Sequence, residues 1–233
     1  MADLIETMVQ YPGEGVTIRA FVVSKGAKEP RPAIIAVQEW WGLNDHVKDI
    51  ARRLAKEGYV AIAPDLYSRL GHAVTTNANE AGQLMNRLKQ EDGLKDLKAT
   101  VAYLKTAPGV DPGRIGVIGF CMGGSYTLML PCVTAEIRAA VPFYGQVPNP
   151  DSPIQNLACP ILYIYGEDDG WITRADVQRL AGALKKYGKV GEIKTYPGAP
   201  HAFFNDTRKE VYRPAEAADA WGRALAFFRQ HLG

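Results

Sequence analysis

One cysteine stands among very small neighbours in the segment Gly119-Phe120-Cys121-Met122-Gly123-Gly124. The apolar run 115–118 precedes it, and an apolar helical stretch follows from Gly123. Strand, sharp turn and helix in that order form the setting of a nucleophile elbow, here with sulfur in place of a hydroxyl. An exposed nucleophile on a tight turn needs room two residues to either side, and Gly119 and Gly123 leave it. N–H groups at the start of the following helix favour a thiolate and a developing oxyanion. Cys132 and Cys159 lack this setting and read as inert core thiols.

A thiol nucleophile needs a base, and the base needs an orienting acid. On scaffolds with such an elbow the chain order is nucleophile, acid, histidine. Beyond Cys121, the apolar run 161–165 leads into Gly166-Glu167-Asp168-Asp169-Gly170. Acids at the C-terminal end of a strand face the crevice where open α/β sheets bind ligands. The spacing from Gly166 points to Asp169, with Asp168 as the alternative. Of the histidines His46, His72, His201 and His231, only His201 has the right order and a strand-end position, after the turn Pro197-Gly198-Ala199-Pro200.

These residues need a frame. Short apolar runs predict strands over 17–23, 33–37, 59–63, 114–118, 139–144, 161–165 and 192–196. Helical spacing of apolar residues predicts helices over 45–57, 80–88, 94–106, 123–130, 174–187 and 214–231. Strands alternating with helices imply an α/β fold, with a mostly parallel central sheet covered by helices on both faces. A length of 233 residues suits one domain over 1–233. The irregular stretch 66–79 follows a strand end and is a candidate active-site loop or a plain surface excursion.

Composition narrows the function. Apolar residues make up 47% and charged residues 22%, with a net charge of +2 and no long basic run, so nucleic acid is not an expected partner. Residues 1–12 show no charged-then-apolar signal pattern, and no apolar run approaches membrane-span length, so a cytoplasmic protein without a membrane partner is expected. The three cysteines form neither a disulfide framework nor zinc-ligand spacing. No metal and no organic cofactor are expected.

Taken together, the landmarks resemble the dienelactone hydrolase family of α/β-hydrolases. They are Gln38-Glu39-Trp40-Trp41-Gly42, Ala63-Pro64-Asp65-Leu66-Tyr67, the Cys121 turn, Tyr165-Gly166-Glu167-Asp168-Asp169 and His201-Ala202-Phe203. The resemblance spans residues 34–228 and implies a Cys121–His201–Asp169 triad. It also implies that Glu39 pairs with the resting thiol and is displaced when substrate binds. A nearby carboxylate disfavours a second negative charge, so the displacement frees the thiolate. The oxyanion hole is then expected from the backbone N–H groups of Trp40 and Met122. Trp41, Tyr67 and Phe203, with Trp40 and Tyr126, are expected to line an apolar acyl pocket.

The chain departs from the family pattern at two arginines that hold an anionic lactone carboxylate in its founding members. One position is Asn205 here, with Arg208 three residues on; the other aligns with Ala78, with Arg87 the nearest arginine. A neutral ester or a different lactone is therefore the expected substrate, cleaved through a thioester acyl-enzyme by a monomer or small homo-oligomer. The alternatives are a thioesterase or small-peptide hydrolase on the same scaffold, and a non-catalytic thiol protein acting in redox sensing or binding.

Overall fold

Residues 3–26 and 29–233 are described by the computed structural model, so Met1 and Ala2 of the stretch read for a signal pattern lie outside them. The chain forms two compact units, one running to Val117 and the other from Ile118.

The first unit begins with β1 (Ile5–Gly13) and β2 (Val16–Ser24), an antiparallel hairpin in register from Ile5 opposite Ser24 to Gly13 opposite Val16. Its tight turn uses Gly15 at φ 72°, a conformation glycine adopts at little cost. β4 (Val60–Pro64) pairs antiparallel with β2 and parallel with β3 (Arg31–Val37). Every residue of β4 is buried, as its continuous apolar run predicts. Helix α1 (Asp45–Lys56) buries Val47, Ile50, Ala51 and Leu54 against this sheet. The valine, isoleucine and leucine side chains each contribute about 1.5–3 kcal/mol on leaving water. Asn44 starts the helix, its side-chain oxygen accepting the Val47 N–H at 3.3 Å. The unit also holds a short 3-10 turn (Ser68–Leu70), α2 (Ala78–Arg87), α3 (Gln90–Leu104) and most of β5 (Val110–Phe120).

In the second unit, β6 (Ala139–Phe143), β7 (Ile161–Asp168) and β8 (Gly191–Pro200) are parallel neighbours. Helix α4 (Met122–Val133) packs on β6, and α6 (Pro214–Leu232) packs on β6 and β7. Helix α5 (Arg174–Lys186) opens with a capping box, in which Thr173 and Asp176 each satisfy the other's backbone N–H.

Two elements depart from the sequence reading. No strand is predicted at β1, because five of its first six side chains are exposed and only backbone pairing shows what it is. β8 runs on through Pro197-Gly198-Ala199-Pro200, read from sequence as a turn, since Pro200 still pairs with Asp168 across an irregularity at Gly166. Among the described residues, no helix is long and apolar enough to cross a membrane.

Candidate active site

The β7–β8 register brings the acid and the base together. Asp168 lies opposite Pro200, so Asp169 and His201 each stand one residue beyond a paired position on adjacent strands. His201 Nδ1 lies 2.7 Å from Asp169 Oδ2. A carboxylate only accepts, so Nδ1 carries a proton, and in the neutral ring Nε2 then holds the lone pair. Asp169 Oδ1 accepts the N–H groups of Trp171 at 2.7 Å and Ile172 at 2.8 Å. The carboxylate is thus fixed by neutral donors on one side and by imidazole on the other. Asp169 is buried, whereas Asp168, the alternative, is exposed.

Cys121 occupies the turn between β5 and α4 at φ 55°, ψ −119°. A non-glycine residue there carries strain of about 1–3 kcal/mol, which the surroundings must hold. They do so through short backbone contacts: the Cys121 N–H donates to the Phe143 carbonyl at 3.1 Å, and its carbonyl accepts the Ser125 N–H at 3.2 Å. A Cβ on Gly119 would stand 2.4 Å from the Gly123 carbonyl oxygen, and one on Gly124 would stand 2.3 Å from that of Phe143. Met122, carrying one expected oxyanion donor, is the first residue of α4, so its N–H lies at the positive end of that helix.

Strain concentrates around this constellation. Four described non-glycine residues have positive φ: His72, Cys121, Tyr144 and Ala202. Ala202 directly follows His201, and the Tyr144 ring lies edge-on to the imidazole at 5.0 Å. The Trp171 ring meets the same imidazole edge-on at 5.3 Å and 86°. Sequence reasoning missed both rings as walls of the imidazole. Trp171 had one local signal, its place two residues after Asp169; Tyr144 ends an apolar strand and reads as core.

The other cysteines are chemically different. Burial pushes the Cys132 thiol up to about 11 and the Cys159 thiol up to about 12, so both stay protonated at neutral pH. All three cysteines are free thiols.

In the first unit, Glu39 is buried just beyond β3, within a tight turn closed by the Gly42 N–H on the Glu39 carbonyl at 3.4 Å. Trp40 and Trp41 are half-buried, with ring centroids 5.0 Å apart. Tyr67 and Phe203 require a correction. Neither has accessible surface, so they pack inside their units rather than line an acyl pocket. Phe203 sits against Tyr144 and Tyr196, and the Tyr67 hydroxyl donates to the Trp40 carbonyl at 2.9 Å. Among the described residues, no group of three His, Cys, Asp or Glu side chains is placed to share a metal ion.

Comparison with known proteins places this geometry in a family context. The model of the dienelactone hydrolase family matches residues 18–232. Protein usf of Aquifex pyrophilus is 35% identical, covering 97% of this chain and 98% of its own. A Synechocystis protein named "Putative carboxymethylenebutenolidase" is 34% identical over 99% of this chain and 98% of its own. The crystal structure of a "Putative Dienelactone Hydrolase" from Klebsiella pneumoniae superposes with a TM-score of 0.90 at 33% identity, covering 98% of this chain and 99% of that one. A metagenomic dienelactone hydrolase-like promiscuous phosphotriesterase has a TM-score of 0.91 over 99% of both chains at 23% identity, a likeness of fold alone. The fold is the α/β-hydrolase fold expected from the sequence.

Proposed function

Because this chain belongs to the dienelactone hydrolase family, whose members hydrolyse ester or lactone bonds, we propose that it does so through Cys121, His201 and Asp169. The observation that carries this reading is the 2.7 Å His201–Asp169 bond, in the same unit as a cysteine held at positive φ at the head of a helix. At rest, Glu39 pairs with the thiol and disfavours its ionisation. Substrate displaces Glu39, the thiol proton passes to His201 Nε2, and the thiolate adds to the carbonyl carbon. The N–H groups of Trp40 and Met122 receive the oxyanion. Collapse expels the alkoxide, which takes a proton from His201 and leaves a thioester on Cys121. Water then attacks the thioester, His201 takes its proton, and the acid departs as the thiolate returns. Asp169 keeps the proton on Nδ1 throughout, so Nε2 does the transfer.

A neutral acyl group suits the chain better than an anionic one. Asn205 is buried, and its side-chain oxygen accepts from the Thr207 N–H at 3.0 Å and the Thr207 hydroxyl at 2.6 Å. The Arg208 guanidinium is engaged by Glu210 at 2.9 Å, and Arg87 is exposed on α2. A reducing, cytoplasmic setting fits an enzyme whose nucleophile must stay a free thiol.

Cys121→Ala tests the reading. It is expected to lower hydrolysis of p-nitrophenyl acetate by roughly ten-thousandfold, with an unchanged circular dichroism spectrum. Turnover within about tenfold of the parent enzyme would contradict the assignment.

A further inference from the structure

We propose that the Ser125 hydroxyl is a positioning group that fixes the Cys121–Met122 peptide and so aims the Met122 N–H at the reacting carbonyl oxygen. The inference rests on the reading above, in which that N–H receives the oxyanion. A peptide group is planar, and the Cys121 carbonyl shares its plane with the Met122 N–H, so a donor that holds the one orients the other. The Cys121 carbonyl accepts twice from Ser125, from its N–H at 3.2 Å and from its hydroxyl at 3.4 Å. The first bond is the ordinary opening bond of α4, which any residue but proline would make. The second exists only because residue 125 carries a hydroxyl. Hydrogen bonds to a carbonyl also polarise its peptide, which makes the N–H on the far side a stronger donor to a negative oxygen. Orientation and polarisation thus both act on the donor that meets the charge developing in the transition state.

The hydroxyl is itself held by a second contact. Its oxygen accepts the Gln146 N–H at 2.8 Å, which leaves the hydroxyl proton for the Cys121 carbonyl. The segment that carries Gln146 follows β6 and is fixed from several sides. The Tyr144 N–H donates to the Ile164 carbonyl at 2.8 Å, and the Tyr163 hydroxyl donates to the Gly145 carbonyl. Arg179 donates to the Val147 and Pro148 carbonyls at 3.2 Å each. Close packing seats the segment on α4, since a Cβ on Gly145 would stand 2.1 Å from the Gly124 carbonyl carbon and 2.3 Å from the Ser125 nitrogen. The same segment sets the Tyr144 ring against His201. Through Ser125, the strained cysteine, its neighbouring N–H donor and the wall of the imidazole are tied to one another within a single unit.

The test is Ser125→Ala, which removes the hydroxyl and leaves the opening backbone bond of α4 in place. From Met122 to Cys132, Ser125 is the one residue of α4 that is not fully buried, and alanine is the best helix former, so the variant is expected to fold. Its kcat for p-nitrophenyl acetate is expected to fall about five- to fiftyfold, with KM within about twofold. Binding of a trifluoromethyl ketone, which mimics the oxyanion, should weaken by a similar factor. Alkylation of Cys121 by iodoacetamide, read from its peptide mass, forms no oxyanion and should keep the parent rate and pH profile. Ser125→Thr keeps a hydroxyl that can bond the carbonyl four residues back, and it is expected to hold kcat within about threefold of the parent. Parent-like kcat in Ser125→Ala, an equally slow Ser125→Thr, or alkylation slowed as much as hydrolysis would overturn the proposal. Cys121→Ala separates the two levels. Turnover surviving there removes the catalytic reading itself, whereas an inactive Cys121→Ala beside a fully active Ser125→Ala removes only the positioning role.

Discussion

Among the described residues, one histidine–aspartate pair stands in each unit, and the two have nearly the same length. His201 Nδ1 lies 2.7 Å from Asp169 Oδ2, and His72 Nδ1 lies 2.8 Å from Asp65 Oδ2. Their surroundings set them apart. Asp65 Oδ2 also accepts from the Arg19 guanidinium at 3.0 Å, so its charge is already matched by a cation. Asp169 has only neutral partners besides the imidazole, the N–H groups of Trp171 and Ile172, and its full charge is left to stabilise an imidazolium. His72 stands on a half-exposed loop at φ 60°. His201 is walled by Tyr144 and Trp171, in the unit that carries the strained Cys121. The distance within a dyad thus says little about chemistry; the remaining partners of the carboxylate say more. One pair ties down a loop, and the other is arranged as the proposed base requires.

Parallel substitutions sharpen this contrast. Asp169→Asn is expected to lower kcat roughly a thousandfold or more, since an amide favours the wrong imidazole tautomer. Asp65→Asn should instead act mainly on stability. It weakens the bonds to Arg19 and His72 but can still accept the Tyr67 N–H. The third of the Arg19 side chain that remains exposed softens the loss, which is expected at about 1–3 kcal/mol by urea titration, with kcat falling less than about tenfold. Equal losses of kcat in the two variants would erase the distinction drawn here. The smallest effect is expected for His72→Asn. Asparagine tolerates positive φ, so only the bond to Asp65 is lost. Its kcat should stay within about twofold of the parent, and its stability within about 1 kcal/mol. A tenfold fall in kcat would show that the first pair, too, serves the chemistry.

The two pairs were also unequally legible in the sequence. His201 and Asp169 could be picked out because each follows a strand end in the order that a cysteine elbow demands. Of the two candidate acids, Asp169 is the buried one and the one bonded to His201. His72 read as one residue of an irregular loop. Nothing local shows that Asp65, seven residues earlier, reaches it, because the contact depends on how the chain folds back around the Tyr67 carbonyl. Helices with a clear apolar stripe, such as α1, were readable to within a residue or two. β1 was not, because an edge strand with exposed side chains carries no apolar alternation and is defined by its backbone partners. Tyr67 was misread for a related reason. Aromatic residues near a motif suggest a pocket wall, and only the coordinates reveal a ring with no open face and a hydroxyl spent on a backbone carbonyl.

The central claim, a covalent step at the sulfur of residue 121, is open to direct measurement. The enzyme is mixed with p-nitrophenyl acetate, quenched in acid within the first turnover, digested, and its peptides are weighed. The account expects a burst of nitrophenol and one acetyl group on the peptide containing Cys121, with neither in Cys121→Ala. An acetyl group on any other side chain during the burst, or undiminished turnover in Cys121→Ala, would contradict it.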